Sequence, residues 1–471
     1  MLETTPFDRP GTRSADLVVE GGTRPDRGEP YVVTVPGDKS VSHRAVLAAL
    51  LPGAPTRLVI RNANLGGAVR ALLPAMRALG LRVTVVGTTI TVARDGTVVP
   101  QSQRPHPDGS DWPTGVPYLE TEGSSAAARL LIGILAGTGR AAVVDGDDTL
   151  RHRPMSWLVD PLRELGADIV DLGAPGHLPV YVRGPVHRPG RVTLTVGSAQ
   201  ARAGVLLAAV AARLPVTVGY PVRSRDHTER MLTSFGARLT ESPHELSYDG
   251  SPTTVPSVID VPADPSLAAY PVAAHLLAGG GGELRVPDAC LNPTRLGYFE
   301  MLRTAGADLS YLDTHQSSSG EPVGTIVATG TTEGLESVRV EDLATLHALI
   351  DEVPLLAVTA AGLPGRSRIG CAEELRFKET DRLSTTAGMA AAFGAWVTVV
   401  DDGLEVSGGA SLSSGQVPSY EDHRIAMAAA TLAAGLPGRT TVLGGACHRT
   451  SFPDFAEVLR ALGVKITEVA S

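Results

Sequence analysis

A structural unit that recurs six times along the chain constrains the fold more than any other feature. In each copy an apolar-periodic helix ends in small residues around a glycine, and an alternating, β-like run follows, as in LLPAMRALGLRVTVV. The copies lie about 70 to 90 residues apart, with the longer steps after the first and the fourth. The marker glycines are Gly80, Gly166, Gly236, Gly306, Gly394 and Gly463. Regular internal periods of this kind indicate a repeat architecture of α/β units.

The residue types at these joints indicate why the units must pack together. Each glycine stands where a helix needs a left-handed residue to end. A unit with one apolar helix face and one apolar sheet face cannot bury both by itself. The uneven steps group the units into two sets of three, and a Ser-, Thr-, Pro- and Gly-rich stretch at 250–260 separates the sets. Ordinary α/β joints that happen to look alike are the alternative to a true repeat.

Composition narrows the class of protein. At 471 residues the chain exceeds one ordinary hydrophobic core, and its net charge of −9 argues against a nucleic-acid partner. Basic clusters in an acidic chain instead indicate a confined anion site. The three cysteines fit neither a disulfide framework nor a zinc pattern, so we expect a reduced, cytoplasmic protein.

Two features of the chain bear on membranes and secretion. No apolar run approaches the roughly 18 residues that a membrane-spanning helix needs. The N-terminal segment lacks the apolar region of a secretion signal, and we expect residues 1–25 to be disordered.

The first candidate site residues lie in the segment PGDKSVSHR, directly after an apolar run. A strand, Gly37 and a Lys-Ser pair suggest a phosphate loop, but Asp38 stands where the nucleotide-binding P-loop requires glycine, which excludes that motif. Lys39, Ser40 and Arg44 remain at the start of a predicted helix, where backbone amides favour anions. A solvated helix start is the structural alternative.

Two further clusters of charge lie far downstream. KETDRL opens an apolar-periodic helix with Lys378, Glu379 and Arg382 within one turn, and YEDHR places Asp422 and Arg424 at the start of a very apolar helix. Burying such charges without partners is costly. The clusters therefore indicate a shared pocket for polyanions, although a surface covered with ion pairs would look the same.

An acidic pair, Asp351–Glu352, lies within the apolar run LIDEVPLLAV. A buried carboxylate there would have a perturbed pKa and is a candidate for general acid–base chemistry, with a helix start as the structural alternative.

Four other segments each give only weak evidence of a functional site. They supply Arg151 and Arg153, Ser198 and Gln200, Ser224 and His227, and Ser451 and Phe452.

Taken in order, these segments resemble the enolpyruvyl transferases from about residue 31 to residue 467. The resemblance rests on PGDKSVSHRA, GDDTLRHRPM, SAQ, SRDHTERML, IDEVPLLAV, AEELRFKETDRL, YEDHRIAMA and SFPDF. It implies an α/β (α+β) fold of two similar domains, each of three βαβαββ repeats, which is the inside-out α/β barrel of that family. It implies an acceptor-side domain at 36–258 and a donor-side domain at 26–35 and 259–471.

The resemblance also implies a role for each matching residue. Lys39, Asp351 and Glu379 correspond to the catalytic group, and the two carboxylates take part in proton transfer. The residues implied to bind phosphoenolpyruvate are Lys39, Arg153, Arg382 and Arg424. Those implied to bind the acceptor are Ser40, Arg44, Ser198, Gln200, Ser224, Lys378 and Asp351. The three guanidiniums would grip the donor's carboxylate and phosphate through bidentate contacts.

The implied reaction adds an acceptor hydroxyl to C2 of phosphoenolpyruvate while C3 is protonated, after which the tetrahedral adduct loses phosphate. The family needs no metal or organic cofactor. The whole-chain resemblance implies shikimate 3-phosphate as the acceptor, in aromatic amino acid biosynthesis. It also implies a monomeric, cytoplasmic enzyme without nucleic-acid or membrane partners.

Departures from the family pattern keep other acceptors open. Where the family has an Asn-Ala-Gly-Thr loop against the donor, this chain has Gly123, Ser124, Ser125 and Ala126. The alternative is a divergent member with another acceptor, such as the 3′-hydroxyl of UMP in peptidyl-nucleoside antibiotic biosynthesis. The relative that acts on UDP-N-acetylglucosamine has Lys-Asn at the first motif, which disfavours it. A non-catalytic anion-binding protein is the alternative from another class.

Overall fold

The computed structural model describes residues 15–22, 28–279 and 282–470. These residues form six four-stranded sheets, and all six have the same pairing pattern. In the sheet around Ala142–Asp145, for example, an outer strand pairs with it in parallel, and two more strands follow on its other side in antiparallel pairing. The α/β class and the six copies predicted from the sequence are confirmed.

The first three sheets comprise, in spatial order, Val258–Asp260, Arg57–Arg61, Thr89–Ala93 and Arg82–Val86 (β14, β3, β5, β4); Tyr118–Glu120, Ala142–Asp145, Val180–Gly184 and Asp168–Asp171 (β6, β7, β9, β8); and Gly190–Thr193, Val216–Gly219, Glu245–Tyr248 and Leu239–Ser242 (β10, β11, β13, β12). The other three comprise Tyr31–Val32, Glu283–Cys290, Pro322–Thr329 and Asp308–Gln316 (β2, β15, β17, β16); Arg339–Val340, Arg366–Ile369, Gly403–Ser407 and Trp396–Val400 (β18, β19, β21, β20); and Gln416–Pro418, Gly438–Leu443, Ala15–Gly21 and Lys465–Ala470 (β22, β23, β1, β24).

Among the described residues, three sheets are completed by a strand from elsewhere in the chain. Strand β14 pairs with β3, β2 pairs with β15, and β1 lies between β23 and β24. The prediction of disorder over residues 1–25 is therefore wrong for Ala15–Gly21, because Leu17 and Val19 of this strand are buried in the core. Residues 1–14 and 23–25 lie outside the described residues.

The α-helices of the described chain fall into three sets. The six helices that open a unit, the first helices, are Lys39–Ala48 (α1), Ser125–Thr138 (α4), Ala199–Ala212 (α7), Pro265–Leu277 (α9), Val353–Ala361 (α12) and His423–Gly435 (α14). The six second helices are Leu72–Ala78 (α3), Ser156–Glu164 (α6), His227–Ser234 (α8), Gly297–Thr304 (α10), Arg382–Ala392 (α13) and Phe455–Ala461 (α15). The short ones are Gly67–Arg70 (α2), Asp148–Arg151 (α5) and Leu343–Leu349 (α11), with 3₁₀ turns at Pro293–Arg295, Glu373–Phe377 and Gly445–Thr450.

Glycines shape this architecture at two kinds of position. Each of the six marker glycines follows a second helix with a φ between 82° and 106°, so the left-handed helix ends predicted from the sequence are confirmed. Between first helices, glycine allows close packing. A Cβ added to Gly133 of α4 would lie 2.3 Å from the carbonyl oxygen of Gly204 in α7, so these two backbones are in direct contact.

Two clusters of buried apolar side chains fill the structure. One extends from Val41 to Val261, and the other combines residues 17–35 with Ala263 to Ile466. We propose that these clusters are the cores of the two domains expected at 36–258 and at 26–35 with 259–471. In that division the chain crosses between the halves twice, near residues 36 and 262.

The helices of the described chain were also compared with the dimensions of a bilayer. Single helices there are too short or too polar to cross a membrane. The α11 and α12 helices meet the length and composition requirement only when joined, and they bend by 95° at the break between them.

Candidate functional site

Most of the predicted site residues lie at the start of a first helix. Side chains just before five of the six first helices accept from a free amide of the first turn, and α12 lacks such a cap. Asp38 Oδ1, for example, accepts from Val41 N at 2.9 Å, and Asp422 Oδ1 accepts from Arg424 N at 2.8 Å. Ser198 does the same for α7. The remaining amides and the helix dipole leave partial positive charge at these ends, which favours anions in the space before them.

Asp351, directly before α12, is shared by three guanidiniums. Its carboxylate lies 2.8 Å from Nη1 of Arg225, 3.6 Å from Nη1 of Arg382 and 3.8 Å from Nη2 of Arg424. Burial alone would raise the pKa of Asp351, but Arg225 and Arg424 hold it well below its usual range. Arg225 comes from the segment 36–258 and the other two arginines from 259–471, so this carboxylate joins side chains of both segments.

Lys39 belongs to the same cluster. Burial lowers the pKa of its ammonium, the Arg424 guanidinium lowers it further, and Asp351 and Glu379 oppose both effects. Lys39 therefore lies within electrostatic reach of both carboxylates, although no ion pair joins it to either of them in the described part of the chain. The structure thus brings together Lys39, Asp351 and Glu379, the three residues predicted to be catalytic.

Glu379 is positioned through Arg382, the first residue of α13. One guanidinium nitrogen of Arg382 donates to Glu379 Oε2 at 2.6 Å, while its Nε donates to Asp422 Oδ2 at 2.9 Å. Although burial would raise the pKa of Glu379, the cations of Arg382 and Lys39 help to hold it well below its usual range. In the ligand-free protein Glu379 is therefore an ionised base. An anionic ligand against Arg382 would offset that field and favour protonation of the carboxylate.

The neighbouring His423 gives a measurable pH effect. Burial depresses its pKa, and the guanidiniums of Arg424 and Arg382 depress it further against the opposing carboxylates of Glu379 and Asp422. Below about pH 6.5 the unfolded chain then binds a proton that the folded protein excludes. Stability is therefore lost as the pH falls from about 6.5 towards the depressed value.

We predict that His423→Gln removes this loss. The free energy of unfolding in urea should fall less for the variant than for the parent between pH 6.5 and 5.5, by about 1 kcal/mol. A His315→Gln variant, at an exposed position of β16, should follow the parent. Identical pH slopes for His423→Gln and the parent would refute the prediction.

Five of the seven predicted acceptor residues belong to the segment 36–258, and Lys378 and Asp351 do not. Arg44 is buried, donates through Nε to Thr228 Oγ1 at 2.6 Å and through Nη1 to the carbonyl of Ser40 at 2.9 Å. Burial lowers its pKa to about 10. The buried hydroxyl of Ser224 has no hydrogen-bond partner among the described residues. It is therefore available to a ligand.

Gln200 and the altered loop lie together in this half. Nη1 of Arg129 donates to Gln200 Oε1 at 2.6 Å, and the hydroxyl of Ser125 donates to the same oxygen at 3.4 Å. Ser124 caps α4 through Ala127 N at 3.4 Å. The departure from the family loop thus keeps an ordinary helix start and adds a hydroxyl beside Gln200.

Two residues that were predicted to bind the substrates, Arg153 and Lys378, lie apart from the cluster around Asp351. Arg153 lies beside Arg129, whose pKa is lowered to about 10 by burial and then by Arg153. No ion pair joins Arg153 to Asp351 in the described part of the chain, so its donor-binding role stays a prediction. Lys378 is held by an ion pair with Glu374, one turn before it.

Sequence reasoning missed several residues of the cluster. Arg225 was overlooked although it directly follows Ser224, and nothing in its local pattern distinguishes it from a surface arginine. Arg129 and Arg295 are both buried. In the sequence, the only signal for this is that each is an arginine inside or beside an apolar segment. Within the described ranges, no group of three or more His, Cys, Asp or Glu side chains is arranged to hold a metal ion.

Known proteins resemble this chain over nearly its whole length. Residues 30–459 match the family described as EPSP synthase (3-phosphoshikimate 1-carboxyvinyltransferase). The chain is 36% identical over 453 residues to the 3-phosphoshikimate 1-carboxyvinyltransferase of Synechococcus sp. (strain JA-3-3Ab), covering 95% of this chain and 97% of that one. It is 38% identical over 442 residues to the enzyme of the same name from Pelotomaculum thermopropionicum, covering 92% and 96%.

Solved structures give the same picture. EPSP synthase from Acinetobacter baumannii superimposes with a TM-score of 0.81 at 30% identity, covering 96% of this chain and all of that one. The enolpyruvyl transferase NikO from Streptomyces tendae superimposes with a TM-score of 0.73 over 98% of this chain. At 18% identity, the likeness to NikO shows a common fold only.

Proposed function

The chain belongs to the EPSP synthase family, and is thus an enolpyruvyl (carboxyvinyl) transferase, and we propose that its donor is phosphoenolpyruvate and its acceptor shikimate 3-phosphate. The family match and the relatives at 36% and 38% identity support this pair of substrates. The α/β fold with two three-unit halves supports closure of a cleft around them.

One observation carries the mechanism: three guanidiniums and one ammonium surround Asp351 where the two halves meet. A ligand-free cleft with so many cations around one carboxylate is suited to receive further negative charge. Phosphoenolpyruvate has a carboxylate and a phosphate, and shikimate 3-phosphate has the same two groups. Both ligands can therefore be held by the same kind of contact without a metal ion as a bridge.

The donor is proposed to bind Arg382, Arg424 and Lys39. Arginine presents a planar fork that matches both oxygens of a carboxylate or phosphate. Arg382 is fixed by Glu379 and Asp422, so its plane is oriented before the ligand arrives. Nε and Nη1 of Arg424 form no hydrogen bond with the described residues, which leaves donors for an incoming anion.

The acceptor is proposed to bind across Ser40, Arg44, Ser198, Gln200 and Ser224. Arg225 supports this side as well, since its Nε and Nη2 have no partner among the described residues while Nη1 holds Asp351. A phosphate placed between Ser224 and Arg225 would satisfy buried donors that are otherwise left without partners. Lys378 would approach the same ligand from the other half.

The chemistry follows from the placement of the two carboxylates. Asp351, on the acceptor side through Arg225, would accept the proton of the attacking hydroxyl as its oxygen bonds to C2 of the donor. Glu379, protonated once the anions are bound, would deliver a proton to C3 and turn the methylene into a methyl group. In the second step C3 returns that proton to Glu379, the bond from C2 to the phosphate oxygen breaks, and Asp351 gives the hydroxyl proton to the leaving phosphate. The products are the enol ether and inorganic phosphate.

UMP is the second candidate acceptor. The specific observation in its favour is the loop at Gly123 to Ala126, where Ser125 places a hydroxyl beside Gln200 on the acceptor side. The fold shared with NikO is compatible with either acceptor.

Release of phosphate tests the two acceptors side by side. We predict that the protein releases phosphate from phosphoenolpyruvate with shikimate 3-phosphate, and that UMP or phosphoenolpyruvate alone gives only background. Domain closure would protect the donor from water, which is why an acceptor should be required. Release with UMP and not with shikimate 3-phosphate would reverse the choice of acceptor. Release without any acceptor would contradict the transfer mechanism.

The proposal also includes the cellular location, the pathway and the oligomeric state of the enzyme. We place it in the cytoplasm because Cys290, Cys371 and Cys447 are all free thiols, and in the aromatic amino acid pathway because its proposed acceptor is shikimate 3-phosphate. We propose a monomer with small molecules as its partners, as the resemblance to the family implies. Light scattering should then give a mass near 48.8 kDa.

A further inference from the structure

The two segments that cross between the halves lie side by side, directly before two first helices. Gly37 and Ala263 form an antiparallel bridge. The amide of Asp38 donates to the carbonyl of Pro262 at 2.7 Å, and the amide of Asp264 donates to that of Pro36 at 2.9 Å. The starts of α1 and α9 are thus tied together at the junction of the halves.

A single guanidinium joins the two carboxylates of these segments. Nη1 of Arg295 lies 2.6 Å from Asp38 Oδ2, and Nη2 lies 2.8 Å from Asp264 Oδ1. Nη2 also donates to Ser266 Oγ at 2.8 Å, and Nη1 lies 2.9 Å from Nε2 of His227. Arg295 is 3% exposed, Asp38 0% and Asp264 2%, so water does not compete with these contacts.

The remaining oxygens of the same carboxylates hold the backbone at Lys39. Asp38 Oδ1 accepts from Val41 N at 2.9 Å, and Asp264 Oδ2 accepts from Lys39 N at 3.1 Å. Each carboxylate therefore bonds to Arg295 with one oxygen and to the first turn of α1 with the other. The guanidinium, the two carboxylates and the amides of α1 form one continuous, buried path.

We propose that Arg295 is a positioning residue for enolpyruvyl transfer, which fixes the backbone of Lys39 through Asp38 and Asp264 and so places the Lys39 ammonium in the cleft. The proposal rests on the proposed function, because the part of Lys39 in the transfer is itself proposed. Arg295 makes no described contact with Asp351 or Glu379, so we expect its effect on the reaction to pass through the backbone that carries Lys39.

The geometry requires arginine at this position. Two carboxylates on different segments must be bonded at once, and a planar fork does this whereas an ammonium is a point charge. Lysine would keep the charge balance of the buried cluster but would release one of the two aspartates. The start of α1 would then be free to move relative to α9, and a displacement of about 1 Å at a reacting group costs roughly a hundredfold in rate.

The test is the Arg295→Lys variant, with Arg303→Lys as the matched control on the exposed Arg303–Glu300 pair of α10. We expect kcat to fall about 10- to 100-fold at a temperature where circular dichroism shows the variant folded. The KM for shikimate 3-phosphate should stay within about threefold, because the acceptor residues of the other segments are untouched. The control should match the parent.

A purely structural role for Arg295 predicts a different result. In that case the melting temperature falls while kcat of the folded variant equals that of the parent, and this outcome would overturn the proposal. The basic limb of the pH–rate profile is a second readout. It should move upwards when Lys39 moves out of the burial and away from the Arg424 guanidinium, which together lower its pKa, and a merely structural change would leave it in place.

A second variant tests the proposal in case Arg295→Lys does not fold. Asp264→Asn keeps the size of the side chain but removes the charge that lets it bond to Arg295 and to Lys39 N at once. Its kcat should fall at least about fivefold, and an unchanged kcat would overturn the proposal. The parent protein, assayed in the same series, separates failure of the proposed function from failure of the proposal about Arg295. An inactive parent refutes the proposed function. An active parent with fully active variants refutes only the positioning role of Arg295.

Discussion

Replacing Glu379 by Gln is expected to lower kcat about 10²- to 10⁴-fold, the usual contribution of a general acid–base group. The amide is nearly the same size and can still accept a hydrogen bond from Arg382, so the guanidinium keeps its position. It cannot carry a proton to C3 of the donor, however. The KM for phosphoenolpyruvate should therefore change by less than about threefold. Steady-state kinetics with phosphate release as the signal measure both constants.

The control for Glu379→Gln is Glu457→Gln, which removes a carboxylate from an exposed pair with Arg460. That variant should behave as the parent does. A Glu379→Gln protein with parental kcat would show that another group supplies the proton. A raised KM at unchanged kcat would make Glu379 a binding residue and nothing more.

Replacing Arg424 by Met is expected to raise the KM for phosphoenolpyruvate about 30- to 4000-fold. Truncating one partner of a buried charge-assisted contact costs roughly 2 to 5 kcal/mol, and each 1.4 kcal/mol is a factor of ten. Arg424 is buried and two of its nitrogens have no hydrogen-bond partner among the described residues, so its contacts with the ligand would be made out of water. Asp351 keeps Arg225 and Arg382 as partners, which limits damage to the unliganded cleft.

Two further variants make this result interpretable. Arg424→Lys keeps the charge and loses the fork, so its KM should lie between those of the parent and Arg424→Met. Arg303→Met removes an exposed arginine of the same half and should leave the KM unchanged. An unaltered donor KM in Arg424→Met would contradict the proposed donor contact.

The repeat itself could be predicted from the sequence because its signals are local. A glycine at each helix end and an alternating run after it are properties of neighbouring residues, and all six joints have the expected left-handed glycine. The three strands that complete a sheet from elsewhere in the chain could not be predicted in this way. The N-terminal strand pairs with β23 and β24, over 400 residues away, and such pairing depends on the shape of the assembled sheet.

The site was predictable where charge interrupts an apolar helix. Lys39, Arg382 and Arg424 stand at helix starts that are otherwise buried, and the structure brings all three around Asp351. Arg225 was missed because its partner lies 126 residues away in the other half. Arg295 was missed for the same reason, since both of its carboxylates come from the crossing segments. The contacts that connect the halves are long-range, and no periodicity along the chain reports them.

The fate of the donor carbon tests the central claim most directly. Phosphoenolpyruvate labelled with ¹³C at C2, incubated with shikimate 3-phosphate and the protein, should give a ¹³C signal for an enol ether on the acceptor together with one equivalent of inorganic phosphate. Labelled pyruvate, or phosphate release without a labelled ether, would mean that the cleft hydrolyses the donor, and transfer between the two anions would be ruled out.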